Sequence, residues 1–269
     1  MVTRNNRIVD IDSISFEIDR KILIKNIAFS INKGDILSII GPNGAGKSTL
    51  IRLISGELIS SSGTIKFNDI NLKQWNISDL ALYRSVLHQA SNISFAFTVK
   101  DIIKMGSYPH VISEKSIDLE SAYCELLDVF DLIDYETRIY TTLSGGEKQR
   151  AQLARSIYQI SISVNLKDKL LILDEPTSYL DIKHQLSLFK YLKKLNKKGL
   201  SIIMVLHDLN LAISNSDKIL ILKQGQLFKF GQVKKVISNE SLKEAFEADF
   251  NLFYDEEKNI KFINYAKGV

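Results

Sequence analysis

Residues 36–49 read Ile-Leu-Ser-Ile-Ile-Gly-Pro-Asn-Gly-Ala-Gly-Lys-Ser-Thr. A short apolar run, long enough for a buried strand, leads into Gly41-x-x-x-x-Gly46-Lys47-Ser48, and a helix-like stretch, Thr49-Leu-Ile-Arg-Leu-Ile, follows. Gly41, Gly44 and Gly46 let the backbone take positive φ and turn its N–H groups inward around a phosphate. Lys47 adds a point charge for β- and γ-phosphates, and Ser48 offers a hydroxyl to Mg²⁺. The helix aims the positive end of its dipole at the same anion. The candidate nucleotide contacts are therefore Gly41, Pro42, Asn43, Gly44, Ala45, Gly46, Lys47, Ser48 and Thr49. A lone glycine cluster would mark an ordinary turn. Strand, loop, Gly-Lys-Ser and helix in one stretch point to nucleotide binding.

The rest of the chain must build a fold around this loop. Its 269 residues can hold one large α/β domain or two modest ones, and 3 prolines and 13 glycines leave little room for disordered linkers. The alternating segments Ile14–Ile18, Ile22–Ile24 and Ile27–Ile31 read as strands, with turns at Asp19-Arg20 and Asn32-Lys33-Gly34. With Thr64–Phe67 they suggest an antiparallel β layer beside the nucleotide-binding core. Helical spacing over Val99–Gly106, Ile117–Phe130 and Gly146–Ile160 suggests a helical insert. The core then resumes. Leu170–Leu173 and Ser201–Leu206 are continuous apolar runs, as expected of strands covered on both faces, and a helix spans 182–198 between them. A hairpin at Lys223-Gln224-Gly225, a helix capped by Ser238 or Asn239, and a short β tail close the chain.

Charge and composition exclude several functions. Net charge +4, from 35 basic and 31 acidic residues, is too balanced to argue for nucleic acid. No stretch approaches the roughly 18 uninterrupted apolar residues that a spanning helix needs, so a membrane role is expected to work through a partner. The N-terminus has a charged start with no apolar stretch behind it, unlike a signal peptide. The single Cys124 rules out an internal disulfide and suits a reducing cytoplasm; it is expected as a small buried residue on its helix.

Three further stretches carry chemistry. Asp174-Glu175 ends a buried strand, where ligands of open α/β sheets bind. Asp174 is placed to hold Mg²⁺ and Glu175 to polarise a water for in-line attack on a γ-phosphate. Read alone, the pair would be a solvated strand end. His207 ends another buried strand and is a candidate γ-phosphate contact; His88, His110 and His184 carry no ligand spacing and read as structural or surface groups. Leu143-Ser-Gly-Gly-Glu-Lys-Gln-Arg150 opens a helix, with Ser144 and Glu147 in capping-box spacing and a second anion-binding helix N-terminus at Ser144-Gly145-Gly146.

Taken together, the phosphate loop, Leu143–Arg150 and Leu171-Ile-Leu-Asp-Glu-Pro-Thr177 resemble the ATP-binding subunits of ABC transporters along the whole chain. The resemblance implies an α/β P-loop NTPase with an antiparallel β subdomain and a helical insert, as one domain over 1–269. Core and β subdomain would take about 1–89 and 165–269, and the helical subdomain about 90–164. It implies ATP and Mg²⁺ as cofactors, with Gln89 sensing Mg²⁺ and the membrane partner. It also implies a head-to-tail homodimer in which Ser144, Gly145 and Gly146 contact the ATP held by the other subunit and Asp181 crosses the interface. Catalysis would fall to Glu175, His207 and Gln89, and Mg²⁺ to Ser48, Gln89 and Asp174. The usual residue before Leu180 in the family is Ala; here it is Tyr179. Adenine often stacks on an aromatic of the early hairpin; the matching position is Ile18, with Phe16 on the same face.

The segments Trp75–Ala81, Arg84–Gln89, Phe95–Val99 and Met105–His110, and the residues between Arg155 and Leu170, resemble more narrowly the ATPase subunits of bacterial haemin importers. That implies a peripheral protein on the cytoplasmic face of the cell membrane, membrane permease subunits as partners, a periplasmic or extracellular haem-binding protein acting indirectly, and no nucleic acid. Importers of ferric siderophores or cobalamin share much of this pattern. From another class, a soluble ABC ATPase shares the ATP motifs, but there are no zinc-type cysteines, no long coiled-coil insert and no second ATPase half. A P-loop kinase has no role for Leu-Ser-Gly-Gly-Glu.

Overall fold

A computed structural model describes residues 6–89, 93–111, 119–163, 165–255 and 260–265. The chain forms two compact units, 1–74 with 203–269, and 75–202.

The first unit opens with two long strands, β1 (Arg7–Ile18) and β2 (Lys21–Asn32), joined by Asp19 and Arg20, both at positive φ. The sequence suggested three short strands here. The structure instead has two continuous ones whose antiparallel register slips repeatedly, as between Ile11 and Ile14. Such bulges break the inside-outside alternation that sequence reading relies on. β3 (Ile36–Ile40), buried throughout, leads through the glycine loop into α1 (Lys47–Ile54). β4 (Ser62–Phe67) and β5 (Ile70–Asn71) complete a four-stranded sheet ordered β2-β1-β4-β5.

The second unit contains two elements that sequence reading did not separate, α2 (Ile77–Tyr83) and β6 (Arg84–Leu87). α3 (Val99–Lys104), α4 (Tyr108–Val111) and α5 (Leu119–Val129) follow; the start expected for the last helix, at Ile117, lies outside the described residues. α5 buries Tyr123, Leu126 and Leu127, and Phe130 continues that stripe. Cys124 is exposed, contrary to expectation, because it falls about 100° around the helix from Tyr123 and off the stripe. α6 (Gly145–Ser161) and α7 (Ile182–Lys197) flank β7 (Leu170–Asp174), which pairs in parallel with β6. His110 is buried, and its Nε2 lies 2.7 Å from the Gln159 carbonyl, a structural role.

β8 (Ser201–Val205) carries the chain from the second unit back to the first, where the Leu206 amide donates to Ile39 O. α8 (Leu209–Ser214) leads to β9 (Lys218–Lys223), parallel to β3, and β10 (Gln226–Gln232) returns antiparallel. α9 (Val233–Val236) and α10 (Asn239–Phe246), N-capped by Ser238, follow. The β tail is a hairpin of β11 (Phe250–Asp255) and β12 (Ile260–Tyr265). Asn210 of α8 clamps it, donating to Ile263 O and accepting from Ile263 N. No helix among the described residues is long and apolar enough to cross a membrane.

Candidate functional site

In the first unit, β3 delivers the chain into a loop built by the backbone. Gly41, Gly44 and Gly46 all have positive φ, at 153°, 76° and 99°. A Cβ on Gly41 would sit 2.1 Å from Leu222 O and one on Gly46 3.0 Å from Leu23 O, whereas one on Gly44 would meet nothing within 4 Å. Gly41 is thus required by close approach as well as conformation, and Gly44 by conformation alone. The Ala45 amide donates to Pro42 O at 3.2 Å and closes the loop. The β9–β10 turn braces it: the Gly225 amide donates to Ala45 O at 2.9 Å, and Lys25 N donates to Gly225 O at 2.8 Å. Sequence reading saw in Gly225 only a hairpin turn.

Lys47 is buried, and its Nζ donates to the carbonyls of Gly41 at 2.8 Å and Pro42 at 3.0 Å. The ammonium therefore lies within the curve of its own loop. Gly46, left-handed, begins α1 with no side-chain cap, and Ser48 and Thr49 lie half-buried in the first turn. The uncapped N–H groups and the dipole make this end attractive to an anion. His207 is exposed just beyond β8, and Asp208 after it caps α8.

In the second unit, Asp174 is buried at the end of β7. Glu175 follows at φ 51°, a costly conformation for a non-glycine residue and one that clusters at functional sites. Gln89 Nε2 donates to Glu175 Oε2 at 3.0 Å, and Ser178 Oγ lies 3.3 Å from the same oxygen. The structure thus brings Gln89 and Glu175 together.

Ser144 and Glu147 form the expected capping box. Ser144 N donates to Glu147 Oε2 at 2.7 Å, and Glu147 N to Ser144 Oγ at 3.4 Å. The Ser144 amide is the main reason that the Glu147 carboxyl is held below its ordinary range. Gly146 is obligatory, since a Cβ there would lie 2.8 Å from Tyr179 O. Tyr179, at φ 63° and 79% exposed, also sets its ring beside Gly145. Asp181 caps α7 by accepting from His184 N at 2.9 Å.

Sequence reading missed three groups that tie these motifs together. Gln149 Nε2 reaches the carbonyls of Glu175 and Pro176 at 3.5 and 3.4 Å. Arg150, buried, donates to the carbonyls of Phe130 at 2.7 Å and Asp131 at 2.9 Å. His184 lies between Arg150 and Asp181. Gln149 and Arg150 end the Leu143–Arg150 stretch, so their position was a usable signal. His184, three residues after a helix-capping Asp, carried none.

Comparison with known proteins gives this geometry its context. Residues 24–178 match the family model described as ABC transporter. The chain is 34% identical to a hemin import ATP-binding protein HmuV of Shewanella denitrificans, over 95% of this chain and 99% of that one. It is 38% identical to the hemin import ATP-binding protein HmuV of Rhizobium johnstonii, over 88% of this chain and 90% of that one. Among solved structures it superposes with a TM-score of 0.76, at 26% identity, on an inward-facing ABC transporter assigned to the metal-chelate type, covering 97% of this chain and 98% of that one. Residues 24–178 take in the glycine loop, the Ser-Gly-Gly helix and the strand that ends at Asp174, and the chain belongs to the ABC transporter family as one of its ATPases.

Proposed function

We propose that this chain hydrolyses ATP to power import of haemin through a partner membrane permease. The observation that carries the chemistry is the hydrogen bond from Gln89 to Glu175. It holds one carboxylate oxygen and orients the group as the base that takes a proton from the attacking water. The amides of residues 41–49 and Lys47 bind the phosphates, with phosphate oxygens replacing the loop carbonyls around the ammonium. Ser48, Asp174 and Gln89 offer only oxygen donors, the hard set that Mg²⁺ prefers. Bound there, Mg²⁺ would neutralise charge on the β- and γ-phosphates. His207 contacts the γ-phosphate.

The working assembly is a head-to-tail homodimer, in which Ser144, Gly145, Gly146 and Asp181 of one copy complete the site that the other copy's phosphate loop begins. One division of labour, a core with β subdomain at about 1–89 and 165–269 and a helical subdomain at about 90–164, gives the permease its docking region. Phe95 and Phe97, their rings 6.0 Å apart and Phe95 72% exposed, suit a groove for a permease helix. The protein then works at the cytoplasmic face of the bacterial cell membrane, downstream of a periplasmic or extracellular haem-binding protein.

The cargo rests on the names of the relatives, since an ATPase subunit does not touch what is transported. The test is reconstitution with its permease in vesicles. Haemin uptake that requires ATP and is lost with Glu175→Gln is expected. Uptake of a ferric siderophore or of cobalamin, with haemin inert, would overturn the cargo. ATP turnover without any associated permease would return the protein to the soluble ABC ATPases.

A further inference from the structure

We propose that His184 is a positioning residue that locks Asp181 to the helix opened by Ser144-Gly145-Gly146, so that the two half-sites carried by one chain move together. The inference rests on the head-to-tail dimer proposed above and adds to it a residue that the ATP motifs do not include.

The geometry is a short chain of hydrogen bonds. His184 Nδ1 lies 2.7 Å from Asp181 Oδ1, and His184 Nε2 lies 3.1 Å from Arg150 Nη1. The Asp181 carboxylate can only accept, so Nδ1 carries the proton and donates; Nη1 shares its two hydrogens among the Phe130 and Asp131 carbonyls and Nε2, a three-centre contact with the ring. Arg150 belongs to α6, and the same Nη1 is anchored on the carbonyls of Phe130 and Asp131. Asp131 Oδ2 sits 3.3 Å from His184 Nε2 and is itself paired with Lys183, which leaves Arg150 as the closer partner of the ring. The imidazole is the one link in this chain that can accept from Arg150 and donate to Asp181 at once. Lys or Arg could only donate, and Asp or Glu could only accept.

Two other contacts join the same pieces. Gln149 reaches the Glu175 and Pro176 carbonyls, and the Tyr179 carbonyl packs against Gly146. The segment Glu175–Asp181 is therefore stapled to the first two turns of α6 at its start, middle and end. Glu175 serves the ATP bound by its own chain, and Ser144–Gly146 the ATP bound by the other. A displacement at either reaches the other through this staple, and His184 closes its far end. The Asp181 carboxyl is held below its ordinary range first by the His184 amide and then by the ring, in agreement with a donor at Nδ1.

The experiment uses the full chain carrying Glu175→Gln, alone and combined with His184→Ala or His184→Gln. The glutamine amide also presents one donor and one acceptor and serves as the conservative rescue. Hydrogen exchange at residues 144–150 should quicken about tenfold with His184→Ala and return to the parent rate with His184→Gln. ATP-driven dimer formation, followed by size-exclusion chromatography, should fall about tenfold with His184→Ala and recover with His184→Gln. Binding of a fluorescent ATP analogue to the monomer should stay as in the parent. Unchanged exchange at 144–150 would overturn the positioning role whatever the dimer does. Altered exchange with unchanged dimerisation would overturn the coupling. A Glu175→Gln parent that binds ATP and stays monomeric would overturn the dimer reading, and the coupling with it, while the exchange result still decides whether His184 holds the helix.

Discussion

The phosphate loop and the Ser-Gly-Gly turn each lead into a helix N-terminus, yet they are built from different materials. The loop at 41–46 is fixed by backbone. A β-carbon on Gly41 has no room beside Leu222 O, the β9–β10 turn holds Ala45, and the Lys47 ammonium rests on the loop's own carbonyls. The turn at 144–146 is fixed largely by side chains: a Ser–Glu capping box, Gln149, and the Arg150–His184–Asp181 chain. A backbone cradle has one shape and binds the same group in every copy. A cradle held by side chains can be shifted by breaking one hydrogen bond, which suits a turn that must respond to events elsewhere in its own chain.

The contrast can be broken experimentally. The largest effect should come from Glu175→Gln, which keeps the hydrogen bond from Gln89 but loses the proton acceptor. Turnover should fall about 10²–10⁴-fold with ATP affinity retained, the range for general-base catalysis. Near-normal hydrolysis in a phosphate-release assay would remove Glu175 from that role.

Next comes a pair inside the loop. Gly41→Ala must displace a backbone carbonyl and should cost about 1–3 kcal/mol in overpacking, besides weakening ATP binding. Gly44→Ala meets only open space and should cost about 1–2 kcal/mol from its left-handed backbone. Calorimetry and nucleotide titration on both variants would separate them; equal losses would mean that contact with Leu222 does not shape the loop.

Ser144→Ala removes a cap and should cost about 1 kcal/mol of stability, at the centre of the range for such losses. Melting of the nucleotide-free protein measures this, and no change would show that the box is not formed in solution. The smallest effect concerns pH. Because the folded state lowers the Glu147 carboxyl, its stabilisation is present above the unfolded value of 4.5 and is lost as pH falls through the lower folded value. The Tm gap between the parent and Glu147→Ala should therefore narrow as pH drops below that point, and a gap that stays constant would exclude the charged cap.

Legibility followed the same divide. The phosphate loop could be read because glycine at fixed spacing is a backbone requirement, and backbone requirements show as residue identity. Asp174-Glu175 could be read because a fully buried strand must be apolar until it ends. The first two strands were misread because bulges shift which residues face inward, and nothing in their composition marks a bulge; Ser13 and Asn26 both take positive φ there. Cys124 was misplaced because one step around a helix turns a side chain from core to solvent.

The sequence alone determined the family of this protein, the glycine loop after β3, the carboxylate that ends β7 and the serine that caps α6. Those assignments rest on local rules of conformation, charge and periodicity, so they survive without coordinates. Only the tertiary structure decided how the pieces are held. It placed Gly225 against Ala45, Gln89 on Glu175, the Tyr179 carbonyl on Gly146, and His184 between Arg150 and Asp181. Apart from His184 and Asp181, which are three residues apart, each pairing joins residues distant in sequence, and such a contact leaves no pattern along the chain for a reader to find.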